Sequence, residues 1–219
     1  QQGDHDGVKG VYHINAVDGV TQFQLVATCE KISEAYLLPV IRQLLAGCPF
    51  VSLGFHADHG SEYIHYQVAT LWEKLRIACT KSRPRHSHDN ALAESKNGAV
   101  VRKPLGSAHI PQPFAEQVNA CCTHPLNPYV NFHRPCFFPE TITDATGKAR
   151  KRYRSEDMKT PYAKLKSLPE ASQYLKLGIT GAHLDALASR VSDTEAALAL
   201  NHARRTLFPT IAATNRKPA

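Results

Sequence analysis

The stretch LGFHADHGSEY, residues 53–63, ends an apolar run in two histidines, an aspartate and a glycine. Two chemistries compete for it. His56, Asp58 and His59 form the second half of an H-x-H-x-D-H zinc pattern, in which imidazoles and a carboxylate hold a hydrolytic metal. That pattern needs a histidine where Gly54 stands, which leaves the set one ligand short. Asp58 alone reads instead as a ligand for a hard cation. Magnesium takes oxygen donors, so its other protein ligands are carboxylates rather than thiols or imidazoles. The next candidate carboxylate is Glu94, with 35 residues between the two. Two divalent ions about 3.5–4 Å apart, held by such groups, stabilise both the attacking and the leaving oxygen of an in-line displacement at phosphorus.

Charge points the same way. The chain has 219 residues and a formal net charge of +7, with basic clusters at KSRPRHSH (81–88) and KARKRYR (148–154). Such clusters suit a polyanion, because each neutralised phosphate releases counterions. The six cysteines (Cys29, Cys48, Cys79, Cys121, Cys122 and Cys136) make no C-x-x-C pair. With a polar start and no apolar stretch long enough to span a bilayer, this usage predicts reduced thiols in a cytoplasm. Cys122, His124, His133 and Cys136 offer a second zinc reading, a knuckle, although the interval between the two pairs is short for a finger.

The elements that must position Asp58 and Glu94 follow from periodicity. Residues 8–17 and 20–28 alternate around Asp18-Gly19 and predict a hairpin. From Ser33, apolar residues Leu37, Val40, Ile41, Leu44 and Leu45 recur at helical spacing up to Gly47, with Pro39 tolerable only near the first turn. The run 50–55 reads as a strand buried on both faces. Ser61 then caps an amphipathic helix carrying Ile64, Val68, Leu71, Trp72 and Leu75. A short strand at 76–80 and a helix from about Asp89 complete an α/β order. On that helix Asn90 and Glu94 share a face, while Leu92, Ala93, Ala99 and Val100 are available for burial. Further on come a helix at 113–122, a proline-punctuated run, an exposed linker or loop at 143–160, and two helices near 180–190 and 193–207.

GFHADHGSEYI, TKSRPRHSHDNALAESKNGAVVRK and PYVNFHRPC, together with MKTPYAKLKSLPEA in the tail, closely resemble the integrase catalytic core of bacterial insertion-sequence transposases. These belong to the retroviral-integrase superfamily with the D, D-x35-E signature. The resemblance implies an α/β, ribonuclease H-like mixed sheet flanked by helices over 1–123, and a basic loop with a mostly helical extension over 124–219. It implies Asp58 and Glu94 as catalytic metal ligands for two Mg2+ (or Mn2+) ions. It places Lys81, Arg83, Arg85, Asn90, Lys96, Arg102 and Lys103 where the family contacts DNA. The implied activity is metal-dependent nicking at transposon ends, followed by attack of the freed 3′-hydroxyl on target DNA. The implied partners are DNA and further copies of the chain in a synaptic complex, in a bacterial cytoplasm and away from membranes.

Two departures bear on these expectations. The family reads S-D-N-G where this chain has Ala57-Asp58-His59-Gly60, so His59 alters the surroundings that orient Asp58. The family's first aspartate lies on a central strand before Val8, and this chain opens after it; Asp18, in the hairpin turn, is expected to be structural. The 219 residues alone are therefore expected to be inactive or poorly folded. The competing readings are a catalytically dead DNA-binding remnant and a metallo-β-lactamase-like zinc hydrolase.

Overall fold

The strand Gln24–Cys29 is the best covered of the described elements, with all six of its residues buried. The computed structural model describes residues 4–5, 7–57, 70, 73, 77–81, 91–144 and 146–215. A small N-terminal hairpin pairs β1 (Asp4–His5) with β2 (Val8–Lys9). Then β3 (Tyr12–Val17) pairs antiparallel with β4 (Gln24–Cys29), Tyr12 opposite Cys29 and Val17 opposite Gln24. The connection is a six-residue loop, Asp18 to Phe23, rather than the two-residue Asp-Gly turn the sequence suggests. Asp18 organises it: its Oδ2 accepts from Val20 N (3.2 Å), Thr21 N (2.7 Å) and Thr21 Oγ1 (2.6 Å). These bonds give Asp18 a structural post in the loop.

Because strand side chains alternate, the hairpin has two faces. Tyr12, Ile14 and Ala16, with Leu25, Ala27 and Cys29, meet Leu37, Val40, Ile41 and Leu44 of α1 (Glu34–Gly47) in one core cluster. Helix α1 carries Pro39 beyond its first turn. The ring costs one backbone hydrogen bond, and the buried stripe on both sides of it outweighs that loss. The opposite face mixes Val26 with His13, Asn15, Gln24 and Thr28. Val26 joins a second cluster with Val100, Val101, Leu105, Val118, Leu126 and Val130.

The run 50–55 differs from its expected form. Phe50 bridges Leu175, Val51 and Leu53 are exposed, and β5 begins only at Gly54. β5 (Gly54–Ala57) pairs in parallel with β6 (Ala78–Lys81), the short strand expected near 76–80. The expected helix from Ser61 lies outside the described residues, apart from single helical positions at Thr70 and Glu73. Helix α2 spans 91–105, an α segment Ala91–Lys96 followed by a π segment Asn97–Arg102 and a last turn Lys103–Leu105.

Helix α3 runs over 112–133 and continues through Pro125 and Pro128. The prolines of that run do not break it. Two π turns, Cys122–Leu126 and Tyr129–His133, widen the coil where the pyrrolidine rings would clash. Burying Val118, Leu126 and Val130 contributes about 1.5–3 kcal/mol each, enough to offset about 3 kcal/mol per proline. This helix crosses the expected division between residues 123 and 124.

After α3, β7 (Cys136–Phe137) pairs with a later strand, while β8 (Glu140–Thr143) and β9 (Ala149–Arg152) make an exposed hairpin in place of the expected loop. β10 (Met158–Lys159) is the partner of β7. Four helices follow: α4 (Pro161–Lys166), α5 (Ala171–Tyr174), α6 (Gly181–Ser189) and α7 (Asp193–Asn215). Thr160 and Thr180 cap α4 and α6 through their hydroxyls. Tyr162, Leu165 and Leu184 enter the α1-side core, and Leu200 and Ile211 of α7 enter the α3-side core. The chain is thus mixed α/β, with small two-stranded sheets and with helices on both faces of the β3–β4 pair. Among the described residues, no helix is long and apolar enough to cross a membrane.

Candidate functional site

Glu94 sits on the first segment of α2 with its carboxylate exposed, and no cation among the described residues pairs with it. What fixes the helix beneath it is a chain of carboxamides across the polar face of the hairpin. Gln24 Nε2 donates to Asn15 Oδ1 (2.6 Å), and Asn15 Nδ2 donates to Asn97 Oδ1 (2.9 Å) and to Ala93 O (3.5 Å). Ala93 immediately precedes Glu94, so its backbone is tied to β3 while the carboxylate faces outward. One turn later, Arg134 Nη1 donates to Ala99 O (3.1 Å). Ala99 lies in the π segment, where a widened turn frees carbonyls from the α-helical pattern.

Asp58 follows the last residue of β5 in sequence and lies outside the described residues, as do Arg83, Arg85 and Asn90. Lys81 closes β6. Lys96 is half-buried, and Arg102 and Lys103 are exposed at the far end of α2. A hard cation fits an oxygen donor such as the exposed Glu94 carboxylate. Among the described residues, no three His, Cys, Asp or Glu side chains gather into a metal site.

Three residues of the two zinc readings, His56, Cys122 and His133, have other partners. His56 Nδ1 lies 2.9 Å from Thr80 Oγ1. Cys122 is fully buried with its Sγ 3.7 Å from Thr28 Oγ1. His133, also buried, pairs through Nδ1 with Asp193 Oδ1 at 2.9 Å and so pins the start of α7. Cys122, His124, His133 and Cys136 therefore do not converge on one point. Burial pushes the Cys29 thiol up to about 11 and the Cys122 thiol to about 12, so neither offers a thiolate at neutral pH. Cys29, Cys48, Cys121, Cys122 and Cys136 are all free.

Basic groups divide into two kinds. On the exposed hairpin the arginines meet carboxylates: Arg150 with Asp144 (3.4 Å), Arg152 with Glu140, and Arg154 with Glu156 (2.8 Å). Hydrogen bonding from Arg152 accordingly holds the Glu140 carboxyl below its ordinary value. On α7, Arg204 reaches back to α2, its Nε donating to Pro104 O and its Nη2 to Lys103 O (3.5 Å). Arg205 next to it is exposed. Neither Arg204 nor Arg205 stands out in the sequence as part of a site. The available signal was an adjacent arginine pair in a tail with no acidic residue after Glu195.

The chain matches no protein-family model and no curated protein sequence.

Proposed function

We propose that this chain is the ribonuclease H-like catalytic core of a D,D,E-type transposase, carrying out metal-dependent DNA cleavage and strand transfer. The observation that carries the reading is the Asn15–Asn97 contact, which fixes the Glu94 helix to the sheet and leaves the carboxylate exposed and, among the described residues, without a cationic partner. Two further features support it. Asp58 directly follows β5, and open α/β sheets place reactive groups just past the carboxyl ends of their strands. The antiparallel pair β3–β4 and the parallel pair β5–β6 together are in keeping with the mixed sheet of that fold.

In this reading Asp58 and Glu94 hold the metal ions, which when bound supply positive charge to the attacking and leaving oxygens. The protein's own part is placement. The carboxamides of Gln24, Asn15 and Asn97 hold the Glu94 helix in register, and Arg102 and Lys103 meet the phosphate backbone.

The test uses the full-length protein. Asp58→Asn and Glu94→Gln should each reduce magnesium-dependent nicking of end-sequence DNA by at least 10²-fold and leave duplex affinity within about threefold, because neither group contributes phosphate neutralisation. Nicking retained by both variants rules the assignment out.

A further inference from the structure

We propose that α7 and the C-terminal end of α2 form one phosphate-binding surface for the DNA backbone. Arg205, Arg102 and Lys103 are its contact groups, and Arg204 is the residue that joins the two helices. The proposal deepens the nucleic-acid reading above and rests on it.

The two segments lie about a hundred residues apart in sequence and meet through the bonds from Arg204 to the carbonyls of Pro104 and Lys103. A second tie, Asn215 Nδ2 to His109 O (3.1 Å), closes the other end of the contact. Leu200 and Ile211 seat the helix in the same cluster as Val101 and Leu105, so the juxtaposition is held by a core. Both segments lack acid: no Asp or Glu occurs between Ser95 and Ala115, nor from Ala196 to the end of the chain. Among the described residues, none of Arg102, Lys103, Arg204 and Arg205 has an ion-pair partner.

The hairpin of β8 and β9 is the contrasting case. KARKRYR is the densest basic run in the sequence, yet Arg150, Arg152 and Arg154 are each matched by a carboxylate. A phosphate approaching them must displace an existing partner. At α2 and α7 no carboxylate among the described residues has to be displaced, so the counterion release that drives backbone binding is available there. The surface offers one ammonium and two guanidinium groups, and beside Arg205 an open hollow of about 360 Å³ is lined by Asn201, Arg204, Phe208 and Pro209. Charges of this kind neutralise phosphates without reading base edges. Its expected partner is accordingly duplex DNA of any sequence.

The experiment measures equilibrium binding of the 219-residue chain to a labelled duplex of arbitrary sequence over a salt series. The triple variant Arg102→Gln, Lys103→Gln, Arg205→Gln should bind about 10–100-fold more weakly at 0.1 M salt, with the salt slope reduced by about 2–3. Arg204 is left intact because it holds the helices together. Arg205→Gln alone, at an exposed position, should lose about threefold and serves if the triple variant fails to give the parent's circular dichroism. Arg150→Gln with Arg152→Gln on the hairpin, where both arginines already meet carboxylates, should change affinity less than Arg205→Gln does. Unchanged affinity and slope in folded variants would overturn the proposal. So would a parent chain that binds phosphatidylserine vesicles but no duplex. Should Asp58→Asn and Glu94→Gln fail to affect cleavage while the salt slope still responds to the triple variant, the active-site reading falls and this surface stands.

Discussion

The side chain of Asn131 pairs with the backbone of Gln24 as a neighbouring strand would, its Oδ1 accepting from Gln24 N at 2.7 Å and its Nδ2 donating to Gln24 O at 2.6 Å. Asn127 does the same for Val26, at 2.8 and 3.0 Å, and Asn119 accepts from Thr28 N at 2.9 Å. Helix α3 thereby closes the outer edge of β4 without a strand. An open edge there would expose a template for pairing with other chains, and a buried one without partners would cost each orphaned group its hydration.

Asn131→Leu is expected to destabilise the chain by about 2–4 kcal/mol, because it leaves both polar groups of Gln24 buried and unmatched at about 1–3 kcal/mol each. Urea denaturation checks it through the midpoint. Asn131→Ser, which keeps a donor and an acceptor on a shorter arm, should recover part of the loss. A midpoint unmoved in Asn131→Leu would mean that water serves this edge equally well.

His13 gives a pH dependence. Burial lowers its pKa from 6.5 to about 4, and its Nδ1 lies 2.8 Å from Thr28 Oγ1. The neutral ring is the folded form, so the unfolded chain binds a proton first as pH falls. Stability is complete above pH 6.5 and declines as pH drops from 6.5 towards 4, by an amount on the order of 3 kcal/mol at the acid end. Chemical denaturation at a series of pH values checks the slope. His13→Gln should flatten it within this window, whatever it does to the absolute stability.

Asn97→Ala should loosen the helix that carries Glu94 while leaving the core in place. The variant removes the acceptor at 2.9 Å from Asn15 and leaves only the 3.5 Å contact to Ala93 O. Amide exchange over 91–97 is expected to accelerate about tenfold, with protection of the β4 amides unchanged, since local openings are governed by local contacts. Asn97→Asp keeps an acceptor and should restore most of the protection. Equal acceleration in β4 would show that the contact supports the whole sheet rather than the helix.

Periodicity made much of the fold legible. Alternation around Asp18 and Gly19 located the β3–β4 hairpin, and the spacing Leu37, Val40, Ile41, Leu44 located α1. The helices beginning at Ala91, Gly181 and Asp193 were equally readable. Where local signals competed with packing, they misled. Pro125 and Pro128 signalled a break inside what is a continuous helix, because the burial gained by α3 exceeds the backbone cost of its prolines. Residues 143–160 looked like a linker because both faces of the β8–β9 hairpin are polar and exposed, which erases the usual alternation. Gln24, Asn15 and Asn97 carried no signal at all, since a carboxamide reads as loop or surface until its partner is known.

By itself the sequence determined the order and type of most elements, the position of a carboxylate on a helix and the excess of positive charge. Each of these depends on residues close together along the chain. Only the tertiary structure decided that asparagines would finish a sheet edge, that the arginines of the hairpin would be neutralised at home, and that Arg204 would bring the final helix onto α2. Those outcomes depend on which groups meet across long separations, and side-chain hydrogen bonds and ion pairs have no periodicity from which such meetings can be read.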